Sequence, residues 1–152
     1  MQNHPRFAVY YTQQYMGIAL LTLTSQEQKL LEKLGVILLV LFGSRAQNST
    51  HTESDYDFGV LPQHPPQSFS EKDIYDGLYD LLSAKINQLV DIDIVFLRDA
   101  PMELQYHVSK YGVVLYEKSP QVFAEFREQV MNKYADFAPL RSIFQNATLS
   151  RI

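Results

Sequence analysis

The sequence predicts an α/β (α+β) domain, a small mixed sheet flanked by helices, and three observations lead there. The apolar run Gly35-Val36-Ile37-Leu38-Leu39-Val40-Leu41-Phe42 has the length and β-branched content of a buried strand. Two later segments, Ser54–Val60 and Leu89–Leu97, alternate acidic and apolar residues with a period of two, which marks strands with one polar face. Around these segments, apolar residues recur at helical spacing.

Taken in order, residues 1–24 are rich in tyrosine and glutamine and form an N-terminal extension of unassigned role, which leaves 25–152 as the main domain. Thr24-Ser25 followed by Glu27-Gln28 is a helix start, with Leu30, Leu31 and Leu34 as its apolar stripe and Gly35 as its stop. The strand to Phe42 follows, then the polar stretch to Ser54 and the second strand. Pro62–Ser68 is too rich in proline for regular structure. A helix is predicted over 70–87, burying Ile74, Leu78, Leu81, Leu82 and Ile86, and leads to the acidic strand at 89–97. Pro101 opens a helix carrying Leu104 and Val108, and Gly112 starts a short strand over Val113–Tyr116. From Pro120 to about Phe144 the spacing of Val122, Phe123, Phe126, Val130, Tyr134 and Phe137 predicts a long amphipathic helix broken near Pro139. Most of that stripe packs on the sheet, while Tyr134, Phe137 and Phe144 are candidates for a partner surface.

The chemistry is concentrated between Gly43 and Asp57. Gly43-Ser44 falls where the first strand must turn, and a glycine there lets backbone N–H groups approach an oxyanion closely. A helix starting at Ser44 would add free amides and a favourable dipole, and the Ser44 hydroxyl one more donor. Arg45 carries a charge that suits a phosphate and equally suits a surface helix start. Beyond residues 45–54 comes Asp55-Tyr56-Asp57, whose two carboxylates share one strand face. Like charges side by side destabilise a fold unless a cation lies between them, and oxygen ligands favour a hard ion, so Mg²⁺ is the natural candidate. Asp91 and Asp93 repeat the pattern on the later strand. If the two strands are neighbours, three carboxylates converge on one metal and phosphate site.

With these residues in view, the chain resembles the minimal nucleotidyltransferases, the small single-domain branch of the DNA polymerase β-like superfamily. The resemblance runs from about Leu30 to Phe137 and rests on Gly43-Ser44, Asp55-x-Asp57, the later strand carboxylate and the continuation from Leu97 to Glu117. It implies a polymerase β-like nucleotidyltransferase fold. It further implies that Gly43 and Ser44 hold the β- and γ-phosphates of ATP, and that Asp55 and Asp57 bind Mg²⁺. Asp93 maps best to the third carboxylate, since Asp93-Ile94-Val95-Phe96-Leu97-Arg98 matches the family pattern except for Phe96, where an aspartate often recurs; Asp91 remains an alternative on the same face. Small members of this form resemble the antitoxin half of HEPN–MNT toxin–antitoxin systems. That likeness implies AMP transfer from ATP to a tyrosine of a partner HEPN-domain ribonuclease, which neutralises it. Adenylylation of a small hydroxylated molecule such as an antibiotic, and a steric antitoxin with an idle nucleotide site, are the alternatives.

Composition narrows the partners. With 13 basic and 17 acidic residues the formal charge is −4, which gives no electrostatic pull toward nucleic acid or anionic membrane. There are no cysteines, so disulfides and thiolate chemistry are excluded. His4, His51, His64 and His107 show no ligand spacing. No apolar run approaches the roughly 20 residues that span a bilayer, and Met16–Leu21 lacks the basic lead and cleavage site of a signal peptide. A cytoplasmic, ATP-using enzyme is expected.

Overall fold

The computed structural model describes residues 21–47, 54–64, 69–86 and 89–150. Helix α1 (Ser25–Lys33) leads into strand β1 (Val36–Phe42), which is followed by β2 (Tyr56–Pro62). Then come α2 (Glu71–Ile86), β3 (Ile92–Phe96), α3 (Met102–Tyr111), β4 (Val113–Glu117), α4 (Val122–Asp136) and α5 (Ala138–Leu149). The strands form one sheet in the order β3-β2-β1-β4. β1 runs antiparallel to both β2 and β4, while β2 and β3 are parallel, so the sheet is mixed as expected.

β1 is central and apolar throughout because both of its faces are covered. On one face Leu39 and Leu41 join Phe58, Val60 and Ile94 against Leu31 of α1 and Ile74, Leu78 and Leu82 of α2. On the other, Leu38, Val40 and Phe42 meet Leu97, Val108 of α3 and Phe126 and Val130 of α4. The period-two pattern sorts β2 the same way: Tyr56, Phe58 and Val60 point into the first core, leaving Asp55, Asp57 and Gly59 to the second face.

Local chemistry sets the element ends. Thr24 caps α1 in a reciprocal capping box: its Oγ1 accepts from the Glu27 amide at 3.2 Å, and its own amide donates to Glu27 Oε2 at 2.7 Å. Glu27 also accepts from Lys85 Nζ at 2.9 Å, which ties α1 to the last turn of α2. Gly35 turns the chain into β1 at φ +79°. Of the predicted extension, residues 21–24 are described; Leu21 and Leu23 lie against the first core, and the remainder falls outside the described residues.

The long C-terminal helix breaks at Phe137, near Pro139 as expected, and continues beyond Phe144 to Leu149. Pro139 sits in the first turn of α5, where a missing N–H leaves no intrahelical bond unmade, so it starts a helix instead of ending one. Tyr134 is half-buried: its ring stacks on Tyr106 of α3 at 3.8 Å between centroids, and the Arg141 guanidinium covers it at 3.4 Å. Phe137 and Phe144 are exposed, as expected of a partner surface, together with Leu140, Ile143 and Leu149.

Candidate active site

The site grows from the end of β1. Gly43 follows Phe42 with φ +74°, a conformation that other residues adopt only under strain. Its carbonyl then accepts from the amides of Ala46 at 3.2 Å and Gln47 at 3.3 Å, which closes a turn over residues 44–47. The predicted helix start at Ser44 is therefore a turn as far as Gln47, and residues 48–53 lie outside the described residues. Glycine at this position is required a second time by packing. A Cβ built on Gly43 would overlap Oδ2 of Asp57.

Strand pairing brings the carboxylates together. Asp57 lies opposite Phe42 across the β1–β2 pair and opposite Asp93 across the parallel β2–β3 pair. Burial first, then the charges of Asp93 and Asp55, raise the Asp57 carboxyl above its ordinary range. Asp91 has no part in that shift; it precedes β3, and its carbonyl accepts from the Tyr56 amide at 2.9 Å to extend the ladder. The charges that act on Asp57 are thus those of its strand neighbours Asp93 and Asp55.

Arg45 points back along the loop. Its Nε and Nη2 donate to the Ser54 carbonyl at 2.9 and 2.6 Å, its Nη1 donates to Tyr56 Oη at 3.2 Å, and its guanidinium lies 4.1 Å from the Tyr56 ring centroid. It clamps the two ends of the loop that carries Gly43-Ser44 away from β1 and returns at Asp55.

All-oxygen donors and a carboxyl held above its usual range by burial and by its acidic neighbours are what a hard divalent cation relieves, so the residues present suit Mg²⁺. Among the described residues, however, no three His, Cys, Asp or Glu side chains stand close enough together to hold an ion as they are. The set is a facing pair with Asp55 exposed at its edge. Beside the turn, Ala46 and Gln47 face His107 and Tyr111 across an open cleft of about 520 Å³. The two rings, one helical turn apart on α3, are 5.1 Å between centroids. From the sequence, His107 stands out only as lacking ligand spacing, and an i, i+4 aromatic pair is indistinguishable from ordinary helix packing.

The site thus consists of a turn whose glycine packs on one acidic strand, beside a second acidic strand in register. The sequence model of the polymerase beta nucleotidyltransferase family matches residues 25–121, and the chain belongs to that family. Among individual relatives, it is 32% identical over 104 residues to the protein adenylyltransferase MntA of Aphanizomenon flos-aquae (strain 2012/KM1/D3), across 62% of this chain and 65% of that protein. The match thus spans a little under two thirds of the relative's length. A crystal structure of a toxin–antitoxin with AMP-PNP is 25% identical with a TM-score of 0.62, covering 80% of this chain and 94% of that one. The fold also matches a structure of the tri-AMPylated Shewanella oneidensis HEPN toxin in complex with MNT antitoxin, at 23% identity and a TM-score of 0.58, over 80% of this chain and 91% of that one.

Proposed function

We propose that this chain moves AMP from ATP onto a protein hydroxyl, a tyrosine of a partner HEPN ribonuclease toxin, and thereby acts as its antitoxin. The observation that carries the reading is the placement of Asp57, opposite Asp93 and directly under Gly43. It joins the phosphate turn and the acidic strands in one site. Family membership supports the reaction class, and likeness to an adenylyltransferase and to toxin–antitoxin structures supports the acceptor.

In this reading residues 25–152 are the transferase unit and 1–24 have no assigned role. Gly43 offers its backbone to the triphosphate, Ser44 adds a donor, and Arg45 sets the loop through Ser54 while bringing its charge close to the phosphates. Asp55 and Asp57 would hold Mg²⁺, with Asp93 completing the set on the side of the acceptor. When bound, the ion supplies positive charge against that which gathers on the phosphates during transfer. The phenolic oxygen attacks the α-phosphorus, the bond to the bridging oxygen breaks, pyrophosphate leaves and the phenolic proton is released. The chain's own contribution is to hold the two reactants in line. In this reading the protein works in the cytoplasm; no helix among the described residues is long and apolar enough to cross a membrane.

The test is label transfer. Purified chain, Mg²⁺ and the partner toxin, given ATP labelled at the α- or the γ-phosphate, should yield a toxin band labelled only from the α-position, and an Asp55→Asn, Asp57→Asn variant should yield none. Label from the γ-phosphate, or toxin neutralised without any label, sinks the proposal.

A further inference from the structure

We infer that the outer edge of β3 receives the acceptor as an added strand: an extended segment of the partner toxin that sets its tyrosine opposite Asp93 and a basic side chain, two residues away, beside Asp91. The inference rests on the transfer reading above and adds to it where and how the acceptor binds. Three observations carry it. First, β3 ends the sheet, and the bonds at its two limits fix which way its backbone faces. The Asp91 carbonyl accepts from the Tyr56 amide and the Leu97 amide donates to the Val60 carbonyl, both at 2.9 Å, so Asp91, Asp93, Val95 and Leu97 direct their backbone polar groups to β2. Ile92, Ile94 and Phe96 turn theirs outward, where no strand among the described residues pairs with them. Second, Gly43 at the end of β1, Asp57 on β2 and Asp93 on β3 follow one another across the sheet. Transfer sets the attacking oxygen, the phosphorus and the leaving oxygen in line. With the β- and γ-phosphates at Gly43 and the α-phosphate toward Asp93, pyrophosphate leaves on the side of β1, and the attacking hydroxyl comes from beyond β3. Third, Asp91 and Asp99, outside the set assigned to Mg²⁺, are exposed at the two ends of this edge, while the Arg98 guanidinium is turned back to the Pro62 carbonyl at 3.1 Å.

An unpaired strand edge is a template for main-chain pairing, and strand addition is an ordinary mode of peptide recognition. Neighbouring strands lie about 4.8 Å apart, so an added strand runs one spacing beyond Asp93, and every second side chain on it shares the face that holds Asp57 and Asp93. A tyrosine opposite Asp93 presents its phenol to the α-phosphate. The side chains two residues to either side of it fall beside Asp91 and the half-buried Val95, which suit a basic and an apolar group respectively. The segment recognised is therefore apolar-x-Tyr-x-basic or its reverse, according to the direction of the added strand.

Amide exchange followed by NMR on the full chain reads the edge directly. Adding the toxin, or a synthetic toxin peptide spanning the modified tyrosine, should slow exchange at Ile92, Ile94 and Phe96 and leave Asp93, Val95 and Leu97, already bonded to β2, as they were. Kinetics supply a second arm. Ile92→Pro removes one outward N–H at the first residue of an edge strand, where proline is tolerated; it should raise the KM for toxin at least about fivefold with ATP affinity unchanged. Ile92→Ala, which gives up the same side chain but keeps the N–H, should retain the wild-type KM. Asp91→Arg should raise the KM too, and an acidic residue placed at the basic position of the toxin should recover it. No added protection at the three amides, or the same KM in Ile92→Pro and Ile92→Ala, overturns the added strand. Protection present without toxin that grows with the concentration of the chain gives the edge to a second copy and overturns it as well. In each of these cases a wild type that labels the toxin leaves the transfer reading standing; a wild type that labels nothing overturns both.

Discussion

Gly43 and Asp57, one ending the central strand and the other starting its neighbour, are packed so closely that a single methyl group on Gly43 would overlap the Asp57 carboxylate. Gly35 offers a control, because it has a similar positive φ but open space where a Cβ would go. Gly35→Ala should cost only the backbone strain, about 1–2 kcal/mol. Gly43→Ala should cost that and displace Asp57 as well, so it should bind Mg²⁺–ATP more weakly by at least about tenfold while Gly35→Ala binds normally. Melting curves and titrations of the two variants side by side decide the matter; equal behaviour would mean that the contact is incidental.

Burial and two like charges disfavour the charged form of Asp57, so neutralising it should relax the ligand-free fold. Asp57→Asn is expected to melt at a higher temperature than wild type in EDTA at neutral pH, and to lose at least about 100-fold in AMP transfer. A lower melting temperature in EDTA would show that the carboxylate is stabilised by something other than a cation.

The same electrostatics predict linkage. ATP with Mg²⁺ should stabilise the protein more than either alone, by about 2.7 kcal/mol at one hundred times the dissociation constant. Calorimetric melts across a concentration series test this, and a flat series would remove the metal from the site.

The Glu27–Lys85 pair gives a pH signature away from the site. Its hydrogen bond to Lys85, ahead of the capping bonds to Thr24, holds the Glu27 carboxyl below its ordinary 4.5. A lowered folded-state value means that the stabilisation is full above about 4.5 and is lost as pH falls through the folded value. Lys85→Met should therefore lower the melting temperature by about 2 °C at pH 7, and the difference between variant and wild type should shrink below pH 4.5. A difference that grows in acid would reverse the assignment.

At the joint between α4 and α5, Arg141 both covers the Tyr134 ring and donates to the Tyr134 carbonyl at 2.6 Å. Arg141→Ala should destabilise the fold by about 1–2 kcal/mol, and Arg141→Lys, which cannot stack a plane on the ring, should recover less than half of it. Chemical denaturation resolves such a difference; full recovery by lysine would reduce the contact to simple charge.

Much of this architecture was legible because it depends on periodicity. The alternation in Asp55–Val60 put both aspartates on one face, and the unbroken apolar run at 36–42 announced a strand covered on both sides. What pairing decides was not legible. Asp91 and Asp93 lie on one face in any extended segment, and only the register that sets Asp93 against Asp57 separates them. Arg45 carries the same charge whether it faces a phosphate or its own loop, and its bonds to Ser54 required the loop to be closed. Pro139 marked the break to within two residues, because a proline in the first turn of a helix leaves no intrahelical bond unmade.

The sheet order places β1 between β2, its immediate successor, and β4, some seventy residues later in the chain. During synthesis, then, the strand that ends in the phosphate turn keeps one edge of backbone donors and acceptors open until Val113–Glu117 has left the ribosome. Chains interrupted before that point expose an entirely apolar edge strand, a template for self-association, so resistance to aggregation is completed only by that late pairing.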